Sequence, residues 1–269
     1  DTENKFLKRL TDEIGKRGVI DVLRNGVKDR GSNFNLVYFE PKSGLNKEHQ
    51  ELFTENQLVV VRQLHYSLNV ENSIDMVLFV NGIPIVTMEL KNELTNQNIL
   101  NSEKQYRNDR DPKEKLLNFQ RCIVHFCVDN DRVSMTTELR GQKTFFLPYN
   151  KGIENPMNPN GYKTHYIWEE ILTPSSILDI LENFVHLSEE KEKEWDNDKG
   201  KVVEKTKYLL VFPRYHQLDV IRKLKRSIIE EGTGNNYLIQ HTTGSGKSYS
   251  IGWLSHLLTS LYRSKEDTQ

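Results

Sequence analysis

Two apolar-rich runs, SIDMVLFV (73–80) and IPIVTMELK (83–91), flank the dipeptide Asn81-Gly82. Asn-Gly between alternating runs is a strong hairpin signal, because both residues tolerate the left-handed backbone of a tight turn. The signal sets two antiparallel neighbours, and side-chain parity then decides which residues share a face. One parity set holds Ile74, Met76, Leu78, Val80, Pro84, Val86, Met88 and Leu90, all apolar. The other holds Asp75, Val77, Phe79, Ile85, Thr87, Glu89 and Lys91. A two-residue loop pairing Val80 with Ile83 would set Asp75 against Met88 and mix the sets. A three-residue loop with Gly82 as a left-handed bulge pairs Phe79 with Ile83 and Asp75 with Thr87, and keeps the apolar set on one face. The spacing therefore predicts the bulged hairpin.

Other elements follow from the same reading. Residues 4–24, with Phe6, Leu7, Leu10 and Ile14 on one side, predict a helix, and LVYFE (36–40) a short strand. Helices are expected at 46–54, 96–109, 173–187, 214–230 and 248–261, with Thr173-Pro174 as a helix start. Strands are expected at 57–64, 121–128, 132–139 and 236–240. This mixture implies an α/β fold with a mixed sheet flanked by helices. The highly charged segment SEEKEKEWDNDKGKVVEKTK reads as a linker, giving three parts: 1–187, a linker at 188–211, and 212–269. The terminal SKEDTQ closes no element, so the chain reads as a piece of a longer one.

On the bulged register Asp75, Glu89 and Lys91 come to the same end of one sheet face. Two neighbouring carboxylates repel unless a cation lies between them. Hard oxygen donors of this kind suit Mg²⁺, which polarises phosphates and lowers the pKa of bound water. Lys91 would orient that water and offset developing negative charge. The alternative is a salt bridge from Lys91 to Glu89 or Asp75 at a sheet edge. An upstream acid, Glu48 or Glu51, would complete the site.

Asp75 followed by Glu89-Leu90-Lys91 resembles the core of the PD-(D/E)XK nucleases, with Ile74 where the motif name has Pro. The wider text, NSIDMVLFVNGIPIVTMELKN, QYRNDRDPKEKL, HFCVDNDRVSMTT, YIWEEIL and PRYHQLDVIRKL, resembles the R (motor) subunit of type I restriction enzymes over most of the chain. The resemblance implies that Asp75, Glu89 and the Leu90 carbonyl hold Mg²⁺ and that Lys91 is catalytic. It also points to Gln105 as a site residue, although Asp109 stands four positions on, where some relatives have Tyr. It implies cleavage of double-stranded DNA, with partner methyltransferase (M) and specificity (S) subunits choosing the target. Two other functions fit the same motifs: a nuclease-like scaffold that binds DNA without cutting, and a repair-type helicase–nuclease.

HTTGSGKS (241–248), between an expected strand and an expected helix, matches a P-loop except that His241 stands at the first glycine position. Gly244, Ser245 and Gly246 would curl backbone N–H groups around phosphates, Lys247 would reach the β- and γ-phosphates of ATP, and Ser248 would ligate its Mg²⁺. The non-glycine start and the upstream RYHQ resemble superfamily 2 helicases, which implies that Gln217 reads adenine with Arg214 beside it. Residues 1–269 carry no second acidic motif to position water, so they are expected to hydrolyse no ATP. Steady turnover abolished by Lys247→Ala would contradict this.

With a net charge of −1, nucleic-acid contacts must come from local patches, of which Arg107 and Arg110 are candidates. Two Cys and no signal-peptide pattern suggest a reducing, cytoplasmic setting. No apolar run reaches the roughly 20 residues of a membrane span. Cys122, His125 and Cys127 lie in one expected strand, where alternating faces prevent convergence on zinc, so they read as core.

Overall fold

The computed structural model describes residues 2–42, 45–196, 200–232, 234–259 and 261. The terminal segment SKEDTQ lies outside the described residues. The expected first helix is two: α1 (Thr2–Arg17) and α2 (Val19–Asn25), split at Gly18. Gly18 has φ +79°, a left-handed conformation that glycine takes readily, and the next residue's N–H leaves the helix pattern to bond Gln120 O (2.9 Å), so the break falls there. A small hairpin follows, β1 (Val27–Asp29) with β2 (Ser32–Phe34). The strand expected at 36–40 does not form, because a side chain takes the place of a partner strand. Asn56 bonds both Tyr38 N (3.2 Å) and Tyr38 O (2.6 Å). Helix α3 (Lys47–Thr54) starts at Asn46, whose side chain caps His49 N.

The centre is a six-stranded mixed sheet of β3 (Leu58–His65), β4 (Ser73–Val80), β5 (Ile83–Leu90), β6 (Val124–Val128), β7 (Val133–Thr136) and β8 (Leu147–Pro148), in that order. Only β5 and β6 run parallel, and their crossover carries α4 (Ile99–Asn108). Asn98 caps α4, so it begins three residues after the expected start.

The turn differs from expectation. Val80 pairs with Ile83, and Asn81 (φ +49°) and Gly82 (φ +81°) form a two-residue turn. Parity is restored further along. Phe79 faces Pro84 but Leu78 faces Val86, so Ile85 is an extra residue on β5. Pro84 has no N–H for the ladder, which suits it to a break in pairing. Val77 then faces Thr87 and Met76 faces Met88, and extending that register by one step sets Asp75 opposite Glu89, not Thr87.

The sheet is covered on both faces, where the parity argument buries only one. Leu78, Val86, Met88 and Phe126 join a core with Val22 and Leu23 of α2. Val77 and Cys127 join a second core with Ile99, Tyr106 and Leu117.

Helix α5 (Pro174–Asn183) starts at the expected Thr-Pro, although the Thr173 side chain makes no cap bond, and it ends four residues early. The charged segment read as a linker is a long antiparallel hairpin, β9 (His186–Asp196) with β10 (Lys201–Val211). Cross-strand ion pairs such as Lys207–Glu192 (3.0 Å) line it, so its charges stabilise the hairpin they decorate. Helices α6 (Tyr215–Glu231) and α7 (Lys247–Leu258) follow, and Leu218, Ile221, Trp253 and Leu257 enter the first core. The strand expected at 236–240 is absent; no neighbour pairs with it among the described residues, and Leu238 is 95% exposed.

Candidate active site

The β4–β5 ladder and α4 build one polar pocket at the end of the sheet. Glu89 is fully buried. Its Oε1 accepts a bond from Arg110 Nε at 2.7 Å, while its Oε2 accepts from no donor, and the Asp75 carboxylate lies within hydrogen-bonding reach of the Glu89 carboxyl. Burial pushes the Glu89 carboxyl up to about 8; the Arg110 guanidinium opposes the rise and the nearby Asp75 carboxylate adds to it. Asp75 Oδ2 accepts from Leu90 N (2.8 Å) and Oδ1 from Gln63 Nε2 (2.9 Å). The two carboxylates are thus adjacent, each held on one side by protein donors.

Helix α4 packs on this face by its i, i+4, i+8 stripe. Ser102 Oγ donates to Glu89 O (3.0 Å), Tyr106 OH meets Thr87 Oγ1 (2.7 Å), and Arg110 follows just past the helix end. Thr87 Oγ1 also contacts His125 Nδ1 at 2.7 Å. Burial drives His125 down to about 3, so it sits there neutral.

The P-loop-like segment is built differently. Gly244 (φ +75°) and Gly246 (φ +80°) take the left-handed turns that only glycine adopts readily, and Gly246 opens α7. Lys247 Nζ folds back onto the carbonyls of His241 (3.1 Å) and Thr242 (2.9 Å). Gln217 is buried; its Nε2 donates to Ser245 O (3.2 Å) and Gly246 O (3.0 Å), and its Oε1 accepts from Arg214 N (2.8 Å). A cleft of about 590 Å³ opens beside the loop, lined by Arg140, Lys143, Lys207, Arg214 and Ser245 among others. Within it the Ser245 Oγ is buried without a partner.

Comparison with known proteins now decides the family. The sequence profile described as "Type I restriction enzyme R protein N terminus" matches residues 3–144, more than half of the chain. The chain belongs to this family. It is also 23% identical over 281 aligned residues to the "Putative type I restriction enzyme MjaVIIIP endonuclease subunit" of Methanocaldococcus jannaschii, covering 97% of this chain. The chain spans about a quarter (24%) of that relative's length.

Within the R-protein region, Asp75 lies beside Glu89 and accepts from Leu90 N, whereas the group expected of Leu90 is its carbonyl. Lys91 follows at the end of β5, tied by its N–H to Val128 O (2.9 Å), and its side chain makes no ion pair among the described residues. The salt bridge weighed for Lys91 is made instead by Arg110. Gln105 lies half-buried on α4, and no bond links its side chain to Asp75 or Glu89. Arg110 and Arg107 turn inward, the latter onto Glu103 (3.1 Å) and Thr144 O (3.1 Å), and so do not form a phosphate grip. Among the described residues no group of three or more His, Cys, Asp and Glu side chains is placed to hold a metal, so Glu48 and Glu51 do not complete the pair. Cys122 donates to Leu116 O (3.5 Å) and His125 bonds Thr87, which makes both core residues.

Two carboxylates, one carrying a buried oxygen without a partner, are a donor set that suits a hard divalent cation. Sequence reasoning missed Gln63, Ser73 and the role of Arg110.

Proposed function

We propose that this chain is the DNA-cleaving, Mg²⁺-dependent N-terminal part of a type I restriction enzyme R subunit, continuing into the start of an ATP-binding motor. The carrying observation is the Asp75–Glu89 pair with its unpartnered buried oxygen, inside the region that matches the R-protein family. Asp75, Glu89 and the Leu90 carbonyl would hold Mg²⁺. When bound, the metal supplies Lewis-acid activation of a phosphate and of the attacking water. Lys91 Nζ would donate to a phosphate oxygen and offset the charge that builds up on the phosphate. Arg110 fixes the Glu89 carboxylate from behind, and the α4 stripe keeps bulk water from that side.

In the same reading Gly244, Ser245, Gly246, Lys247 and Ser248 bind ATP with its Mg²⁺; Gln217, expected to read adenine with Arg214 beside it, has its carboxamide taken up by Arg214 N, Ser245 O and Gly246 O, so it braces the loop instead. ATP binding there requires Lys247 to leave its own loop carbonyls for the phosphates. The whole protein would translocate double-stranded DNA and act with M and S subunits; family membership favours this over a repair helicase–nuclease.

One observation favours a second reading, a DNA-binding scaffold that does not cut. Glu89 already has a cationic partner in Arg110. Incubating the protein with supercoiled DNA and Mg²⁺, beside a Glu89→Ala, Lys91→Ala double variant, separates the two, with metal binding followed by calorimetry. The nuclease reading expects nicking by the wild type alone, or carboxylate-dependent metal binding where cutting needs the partner subunits. Neither cutting nor metal binding supports the scaffold.

A further inference from the structure

Gln63 is the one β3 residue with a left-handed backbone, φ +49°. An L-residue adopts this region at a cost, and such outliers persist where the surroundings hold them. The ladder pairs Arg62 with Met76 and Leu64 with Ile74 but skips Gln63 and Asp75. In place of backbone pairing, the Gln63 side chain reaches Asp75. Its Nε2 donates to Asp75 Oδ1 (2.9 Å) and its Oε1 accepts from Ser73 Oγ (2.8 Å). A carboxylate only accepts, so this orientation of the carboxamide is fixed by its partners. Ser73 O in turn accepts from Arg110 Nη2 (2.7 Å), and Arg110 Nε holds Glu89.

We propose that Gln63, Ser73 and Arg110 form a continuous brace that sets the spacing of the Asp75 and Glu89 carboxylates, with Gln63 as the positioning residue for Asp75 as a metal ligand. The proposal rests on the metal-site reading above. One oxygen of each carboxylate is tied into the brace. Asp75 Oδ2 is tied across the ladder to Leu90 N, and Glu89 Oε2 is left for a cation. Partners that orient metal ligands commonly change metal affinity by 10–100-fold when removed. Gln63 touches no catalytic atom directly, so its effect must appear first in metal affinity.

The test is Mn²⁺ binding to the full chain by calorimetry, with thermal melting in parallel, for wild type, Gln63→Asn, Gln63→Gly, Ser73→Ala and Glu89→Ala. Asn and Gly both accept the left-handed backbone, but neither spans from Ser73 to Asp75. The expected result is a fall of about tenfold in affinity for both Gln63 variants, with the folded state retained. Ser73→Ala, which reaches Asp75 only through Gln63, shows a smaller loss, and Glu89→Ala loses binding. Wild-type affinity in either folded Gln63 variant overturns the brace while leaving the metal site standing. No Mn²⁺ binding by wild type overturns both.

Discussion

The carboxylate pocket and the P-loop-like segment differ in what holds them. In the first, every strand is paired, α4 seals one face, and the hydrogen-bonded Arg110–Glu89 pair is closed off from water. In the second, residues 235–241 form no strand, and the loop is held by the side chains of Gln217 and His216, the latter bonded to Ser245 O (2.9 Å), and by its own lysine. A pocket built into a sheet is rigid because moving any group breaks ladder bonds and core contacts together. A loop held by a few side-chain bonds opens at the cost of those bonds alone. The contrast suits a metal site that must be preorganised and a phosphate site that must rearrange when nucleotide enters.

The sharpest way to break that comparison is to remove Arg110. Arg110→Ala leaves the buried Glu89 Oε1 and Ser73 O without their donor, which should cost about 2–3 kcal/mol of global stability. Lys247→Ala, on an exposed side chain, should change it by less than about 0.5 kcal/mol. Urea denaturation of the two variants measures both. Equal effects would mean that the two regions are equally coupled to the fold.

Acidity provides the next test. Glu89 takes up a proton in the folded state at about 8, far above its unfolded value of 4.5, so its contribution is present at low pH and is lost as pH rises through about 8. His125 is neutral down to about 3 while the unfolded ring protonates near 6.5, so its contribution is lost as pH falls below 6.5. From these two groups stability should rise with pH up to the unfolded Glu89 value, level off, then fall above 6.5 by roughly 1.4 kcal/mol per unit. Glu89→Gln should remove the alkaline fall and keep the acid limb. Persistence of the alkaline fall in that variant would assign it to another group.

Much of the pocket was legible because strand parity is a local rule: alternation in 73–91 alone puts Asp75, Glu89 and Lys91 on one face. The register was not legible. Parity requires one extra residue but does not say whether it sits in the turn or at Ile85, and the two choices differ in whether Asp75 meets Thr87 or Glu89. Long-range partners were also hidden. Arg110 lies 21 residues from Glu89, and a helical charge run gives no sign of which cation turns inward. The charged segment 188–211 misled for a related reason. Its alternating Glu and Lys read as solvated linker, yet the same alternation pairs Glu192 with Lys207 across a hairpin.

The loop side of the comparison is tested by Gln217→Ala. This removes the donor to Ser245 O and Gly246 O and the acceptor for Arg214 N. A loss of about 1–2 kcal/mol is expected, confined to the loop and the start of α7. Hydrogen exchange should therefore speed at residues 245–250 while the sheet strands keep their protection. Faster exchange in β4 and β5 as well would show that the loop and the sheet unfold as one unit.

A further effect, near the size of a single hydrogen bond, lies beside the carboxylates. Tyr106→Phe deletes one hydroxyl from the Tyr106–Thr87–His125 chain without changing the ring's packing against His125 and Phe146. Thr87 Oγ1 keeps His125 Nδ1 as its partner, so no buried group is orphaned, and the cost should be near 1 kcal/mol. Thr87→Val removes the central hydroxyl and leaves both Tyr106 OH and His125 Nδ1 unpaired, so it should cost more although it deletes a single oxygen. Equilibrium unfolding of the two variants ranks them. The reverse ranking would mean that the tyrosine hydroxyl, not the threonine, is the group the second core is built around.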